Sequence, residues 1–393
     1  MKRSNPPFGG TSGPKMKVIR GQAPTDTCMS RSIVSKNMSS NHVFDSQREN
    51  KVVHKRTTLC LNEDLDSIVL PEENVAGVLS FLEFKELAVC SLVSKTWMNA
   101  LSQIRCIRLS LNDKWNDDKL IFSASHLESL IKLEIDWDES CGLDSKKLCY
   151  FLSRCPKLKH FHFCGNVVNY THPNGIADEA FLPLQFAHDL ETLVWENVKL
   201  GEQIGHIDKI LRDKKNLKTL RLCYISFDQD RHPIPSKIKS LSAEIGNLYN
   251  IRVLDISGSR LNFHKFDAHV LFSELRELVR LRISDPSDIS LAAVSHYCPK
   301  LDFLGIYGGC NRFTLEGLLG VLRSCPIRSL YTLGVFGSGI DASDLKRICT
   351  EGRHSLLQVQ IGPRRYRPFD LRVILMREAV EEASEGRVQL IVR

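Results

Sequence analysis

The chain has no Cys-x-x-Cys pair, although it holds 13 cysteines in 393 residues. The common zinc and dithiol–disulfide spacings are therefore missing. No apolar run reaches the length of a bilayer span. The N-terminus is polar and lacks the apolar core of a secretory signal. An odd, scattered set of thiols without such a signal implies reduced, mostly buried cysteines and an intracellular setting, cytoplasm or nucleus. Also missing are Gly-x-x-x-x-Gly-Lys-Ser/Thr, His-Glu-x-x-His and Gly-x-Ser-x-Gly. Phosphate-loop, zinc-peptidase and serine-hydrolase chemistry have no foothold in the pattern. No catalytic residue, cofactor, metal or membrane contact is expected, and the chain is read as a non-enzyme.

Basic charge is concentrated at one end. The net charge is +7, but residues 1–60 carry eleven Lys and Arg against three acids, or +8. The remaining residues carry 42 basic and 43 acidic side chains, or −1. A balanced body argues against a nucleic-acid partner, which needs a basic face. Residues 1–64 are rich in Ser, Asn, Gly, Pro and Lys without apolar periodicity, and are expected to be a disordered tail. Lys51, His54, Lys55 and Arg56 read as a solvated basic cluster before they read as a nuclear address.

What the chain does have is a repeated Leu-x-x-Leu-x-Leu pattern with conservative apolar exchanges. It occurs at Leu130, Leu133, Ile135; Leu158, Phe161, Phe163; Leu190, Leu193, Trp195; Leu217, Leu220, Leu222; and Ile251, Leu254, Ile256. It continues at Leu278, Leu281, Ile283; Leu301, Leu304, Ile306; Leu330, Leu333, Val335; and Leu356, Val359, Ile361. The starts are 28, 32, 27, 34, 27, 23, 29 and 26 residues apart. That spacing sits around the leucine-rich-repeat range. Helical return segments are expected at Ile207–Leu211, Leu291–Tyr297, Leu315–Leu322 and Ala342–Cys349. Leu371–Ala383 and the alternating Val388, Leu390, Val392 read as a closing helix and strand. The expected fold class is α/β: a leucine-rich-repeat solenoid over 113–393, a horseshoe with parallel strands on its concave face. Cys-Pro recurs at Cys155, Cys298 and Cys325, a slot read as packing.

Residues 70–97 have a different, helical pattern. Pro71 suits a first helical position, and Glu72 and Glu73 suit the first turn beside the helix dipole. Val75, Val78, Leu79 and Leu82 form one apolar stripe. A second helix can run from Lys85 with Leu87 and Leu92. A third can start near Ser94 and carry Trp97. Three helices this short bury too little surface to stand alone.

This segment resembles an F-box, the helical module that docks a protein onto the Skp-family adaptor of a cullin ubiquitin ligase. Leu70, Pro71, Glu73, Val78, Leu82, Leu87, Val93 and Trp97 fill family positions without a gap. Asn74, Gly77 and Phe84 depart from the pattern, and Gly77 costs about 1 kcal/mol relative to Ala inside a helix. The resemblance implies an F-box over 65–112, with Leu70, Pro71, Val75, Val78, Leu79, Leu82, Leu87, Val93 and Trp97 building or supporting the adaptor contact. It also implies a cullin partner and a protein target held by the repeats.

The strand face offers the target-binding candidates Arg221, Arg280, Arg282, Phe303, Tyr307 and Phe336. Arginine suits planar pairing with carboxylate or phosphate, and arginine with aromatics makes good interface anchors. An acidic or phosphorylated target segment fits such a surface. Local pairing of Arg221 and Arg282 with Asp255 is the competing reading. His160, His162 and Cys164 share a strand, but no further ligand cluster is evident beside them in the sequence.

Overall fold

The computed structural model describes residues 72–79, 86, 95–111, 127–138, 144–166, 178–198, 206–225, 235–258, 266–308, 312–333, 341–362 and 371–392. The structural statements below concern these residues. Pro71, Leu70, Leu82, Leu87, Val93 and Phe336 lie outside them, as does the expected tail.

Each repeat places apolar residues where alternate strand positions point into one core. The strands are β1 (Cys106–Leu111), β2 (Lys132–Asp138), β3 (His160–Asn166), β4 (Thr192–Glu196), β5 (Thr219–Cys223) and β6 (Val253–Ile256). They continue as β7 (Arg280–Ser284), β8 (Phe303–Tyr307), β9 (Ser329–Leu333), β10 (Gln358–Ile361) and β11 (Gln389–Val392). All join one open parallel sheet in strict sequence order. Leu133, Phe161, Leu193, Leu220, Leu254, Leu281 and Leu304 stack in register and are buried. Each contributes roughly 1.5–3 kcal/mol of apolar burial.

Helices precede the sheet and return the chain between its strands. They are α1 (Glu72–Leu79), α2 (Lys95–Leu101), α3 (Ser145–Ser153), α4 (Ile207–Leu211), α5 (Pro235–Gly246), α6 (Ala268–Phe272), α7 (Asp288–Tyr297), α8 (Leu315–Ser324), α9 (Ala342–Glu351) and α10 (Leu371–Ser384). A 3-10 segment, Asp178–Phe186, replaces the helix between β3 and β4. Side-chain caps start several of them: Asp144, Asp267, Ser287 and Thr314 accept from backbone amides, and Asp341 forms a capping box with Asp344. Cys155, Cys298 and Cys325 are buried beside the helix ends. The Cys155 thiol donates to the Phe151 carbonyl and that of Cys325 to the Cys298 carbonyl, each at 3.4 Å. The Cys-Pro slot is thus a packing and hydrogen-bonding position.

The turn after the strand is also periodic. Asn197, Tyr224, Gly258, Asp285 and Gly308 all have positive φ. Strand register aligns them in one column at the ends of β4 to β8. A left-handed residue there turns the chain off the sheet.

Two features depart from the sequence pattern. The sheet begins one strand earlier than Leu130 implies: β1 lies within residues 65–112 and buries Ile107, Leu109 and Leu111. In the eighth leucine-rich segment the register is three residues off. Leu330, not Leu333, pairs with Leu304, and Thr332 pairs with Ile306. The inward set is Ile327, Leu330 and Thr332, all buried. Thr332 breaks the apolar pattern, so Leu330, Leu333, Val335 imitates the repeat better than the true set does.

Candidate functional site

The outward residues of the strands form a continuous face whose character changes along the array. On β1 and β2 it is a set of ion pairs, Arg108 with Asp136 at 2.8 Å and Lys132 with Glu134 at 2.7 Å. On β3 and β4 it brings together His162, Cys164 and Glu196. From β5 to β7 it is dominated by arginine, and on β8 and β9 by aromatics.

The arginine region is built around Asp255 on β6, only 2% exposed. Its carboxylate faces Arg221 Nε at 3.6 Å and Arg282 at 3.3 Å, and it accepts from the Ser257 amide and hydroxyl. Arg221 also reaches Glu196 at 2.7 Å. The local pairing expected of Arg221 and Arg282 is therefore present. Arg280 differs, because its guanidinium lies over the Phe303 ring at 4.6 Å. Arg282 shares that ring at 5.2 Å. Such cation–π contacts contribute about 0.5–1 kcal/mol at exposed sites. Arg221, Arg280, Arg282, Asp255, Val253 and Leu254 line a cavity of about 250 Å³.

Gly305 makes this packing fit. A Cβ there would lie 2.9 Å from Arg282 Cγ and 3.2 Å from Phe303 Cε1. Beyond it, Tyr307 and Tyr331 rings stand 5.2 Å apart. Burial pushes the Tyr307 phenol up to about 12. Tyr331 replaces Thr332 as the outward residue of β9, a consequence of the register shift. The pattern Leu330, Leu333, Val335 makes Thr332, Gly334 and Phe336 the outward set and so passes over Tyr331.

At the other end, α1 and α2 pack together against the start of the sheet. Val75, Leu79, Ala100 and Leu101 are buried in the same core as Ile107 and Leu109, with Trp97 partly buried against it. Val75 and Leu79 therefore act on any partner of this module from beneath. Asn74 is exposed on α1. A second cavity of about 670 Å³ adjoins α1, with Arg105, Lys157 and Lys159 among its lining residues.

An open stack of strand–helix coils closed by a periodic apolar ladder is a leucine-rich-repeat solenoid. Residues 69–109 match the F-box domain, so the chain carries an F-box ahead of its leucine-rich repeats. The match runs into β1. No curated protein matches the chain. Among solved structures, it is similar to the leucine-rich-repeat protein LegL7 from Legionella pneumophila, with 16% identity, 74% of this chain and 83% of that one covered, and a TM-score of 0.35. It is also similar to the Rad7 and Elc1 complex in yeast, with 15% identity, coverage of 82% and 89%, and a TM-score of 0.37. A leucine-rich-repeat protein of Leptospira interrogans shows 11% identity, coverage of 79% and 94%, and a TM-score of 0.27. No described helix is long and apolar enough to cross a membrane.

Proposed function

We propose that this chain is the target-recognition subunit of an SCF-type (Skp–cullin–F-box) ubiquitin ligase. On this reading the F-box docks onto a Skp-family adaptor carried by a cullin, in the cytoplasm or nucleus. The strand face holds a target protein. The covalent steps belong to other subunits, and this chain contributes proximity between target lysines and the charged enzyme. Arg221, Arg280, Arg282, Phe303 and Tyr307, joined by Tyr331, meet an acidic or phosphorylated target segment.

The observation that supports this most is the shared core of the F-box helices and the first coil. A module that docks on one protein while packed rigidly against an array that grips another can hold the two at a set distance. The test is co-purification of the full chain with adaptor and cullin. Leu70→Ala/Pro71→Ala is expected to abolish both captures while leaving thermal unfolding of the array unchanged. Full retention of both partners overturns the reading.

The same burial also favours a second reading, an interaction scaffold outside any ligase, with α1 and α2 serving as the cap on the β1 edge. A wild-type chain that binds a partner through the strand face and captures no adaptor decides for the scaffold.

A further inference from the structure

We infer that His162, Cys164 and Glu196 form a zinc-binding site on the strand face, with one coordination position open to solvent. The inference stands apart from the ligase reading: none of its three ligands is a proposed target-binding residue, and Arg221 is shared only as an outer partner of Glu196.

The placement follows from strand geometry. His162 and Cys164 are two apart on β3, so both project from the same side. Glu196 is the register partner of Cys164 on β4. One imidazole nitrogen, the thiol sulfur and one carboxylate oxygen all lie within 4.8 Å of one another. His162 Nε2 is shut off from solvent and has no hydrogen-bond partner. Glu196 Oε2 is 3.9 Å from it, beyond hydrogen-bond reach. The two face each other as a long ion pair, with room for a metal ion between them. Tetrahedral zinc, with bonds of about 2.0–2.3 Å, holds its donors roughly 3.5 Å apart, so small side-chain rotations close the set.

The surroundings suit the ion. Glu196 uses its other oxygen, Oε1, toward Arg221 at 2.7 Å, and Arg221 is tied in turn to Asp255. Ligating carboxylates are normally held by such an outer partner. His160 is engaged elsewhere, with its Nδ1 3.1 Å from Thr192 Oγ1. A nitrogen, sulfur and oxygen donor set selects zinc over calcium or magnesium, which avoid thiolate. Cys164 and Glu196 supply two negative charges against the two of the ion. On binding, the thiol gives its proton to solvent and its sulfur takes the metal. The fourth position takes water or a side chain of a bound protein.

The experiment titrates reduced, metal-free full-length protein with Co²⁺ and then Zn²⁺. A thiolate-to-cobalt charge-transfer absorption is expected to saturate and to vanish as Zn²⁺ displaces Co²⁺. Cys164→Ser removes it. His162→Ala and Glu196→Gln each weaken affinity at least about tenfold, a loss typical of a disturbed metal shell, whereas His160→Ala leaves it unchanged. If Cys164→Ser fails to fold, Glu196→Gln carries the decision, since it keeps the side-chain shape. No absorption in the wild type, an equal absorption in Cys164→Ser, or unchanged affinity in Glu196→Gln overturns the site.

Discussion

Lys214 illustrates how a single buried charge shapes the behaviour of the array. It has no exposed surface, and its ammonium donates to the Gln185 carbonyl at 2.7 Å. Burial lowers its pKa from 10.5 to about 8. The folded chain therefore holds this proton less tightly than the unfolded one. Between those values unfolding takes up a proton, so stability rises with pH from about 8 to 10.5, and the full penalty applies below 8. Lys214→Met removes a penalty of roughly 3 kcal/mol at neutral pH, partly offset by the carbonyl left unpaired. Denaturant unfolding at neutral pH and near pH 10 should show the variant's advantage shrinking at the higher pH. An equal gap at both would contradict this account. Gly258 is the other sensitive position. Its φ is +65°, and a Cβ would lie 2.4 Å from the Tyr224 ring. Gly258→Ala should lower stability by about 1–3 kcal/mol, read from the denaturant midpoint. Neither effect can be read from residue type alone, because both depend on what the neighbouring coil places nearby.

The strands β7 to β9 carry the clearest lesson about pattern and register. Arg280, Arg282, Phe303 and Tyr307 follow from alternation along single strands, and the structure brings them together as alternation implies. Tyr331 does not follow, because Thr332 fills an inward position that the leucine pattern reserves for an apolar residue. The first coil fails to stand out for another reason. Ile104, Ile107 and Leu109 fit the repeat spacing, but they lie against the helical segment and read as part of it. Gly305 offers a test of the arginine–aromatic packing. Gly305→Val is expected to push Arg282 and Phe303 from their places and, on the proposed function, to reduce target capture at least about fivefold, as loss of an anchor contact of more than 1 kcal/mol implies. Adaptor capture should stay at the wild-type level. Undiminished target capture would mean that binding lies elsewhere on the array.

For the array as a whole, each coil is covered by its neighbours and the ends need caps. At the start, Val75, Leu79, Ala100 and Leu101 close the core over β1. At the far end, α10 and β11 close it, with Val373, Met376, Val380 and Val388 buried. Removing residues 1–111 would strip α1, α2 and β1 and expose the edge of β2. Unpaired strand edges next to exposed apolar surface associate. The truncated chain should run as aggregate on size-exclusion chromatography, whereas the full chain runs as a single species. A monodisperse, folded truncation would show that the helices are dispensable to the array.

The amino-acid order by itself determined the repeat, its period, most of the apolar ladder and the helical segment ahead of it. These are local or periodic features, and the residues that specify them are close in the chain or recur at regular intervals. Tertiary structure decided which residues from separate coils meet. Glu196 reaches Cys164 only because β3 and β4 pair in a particular register. Arg221, Asp255 and Arg282 converge from three strands, and Arg280 and Arg282 meet over Phe303 of the next strand. Parallel pairing brings together side chains about thirty positions apart, where an insertion in the return segment changes the spacing without changing the contact.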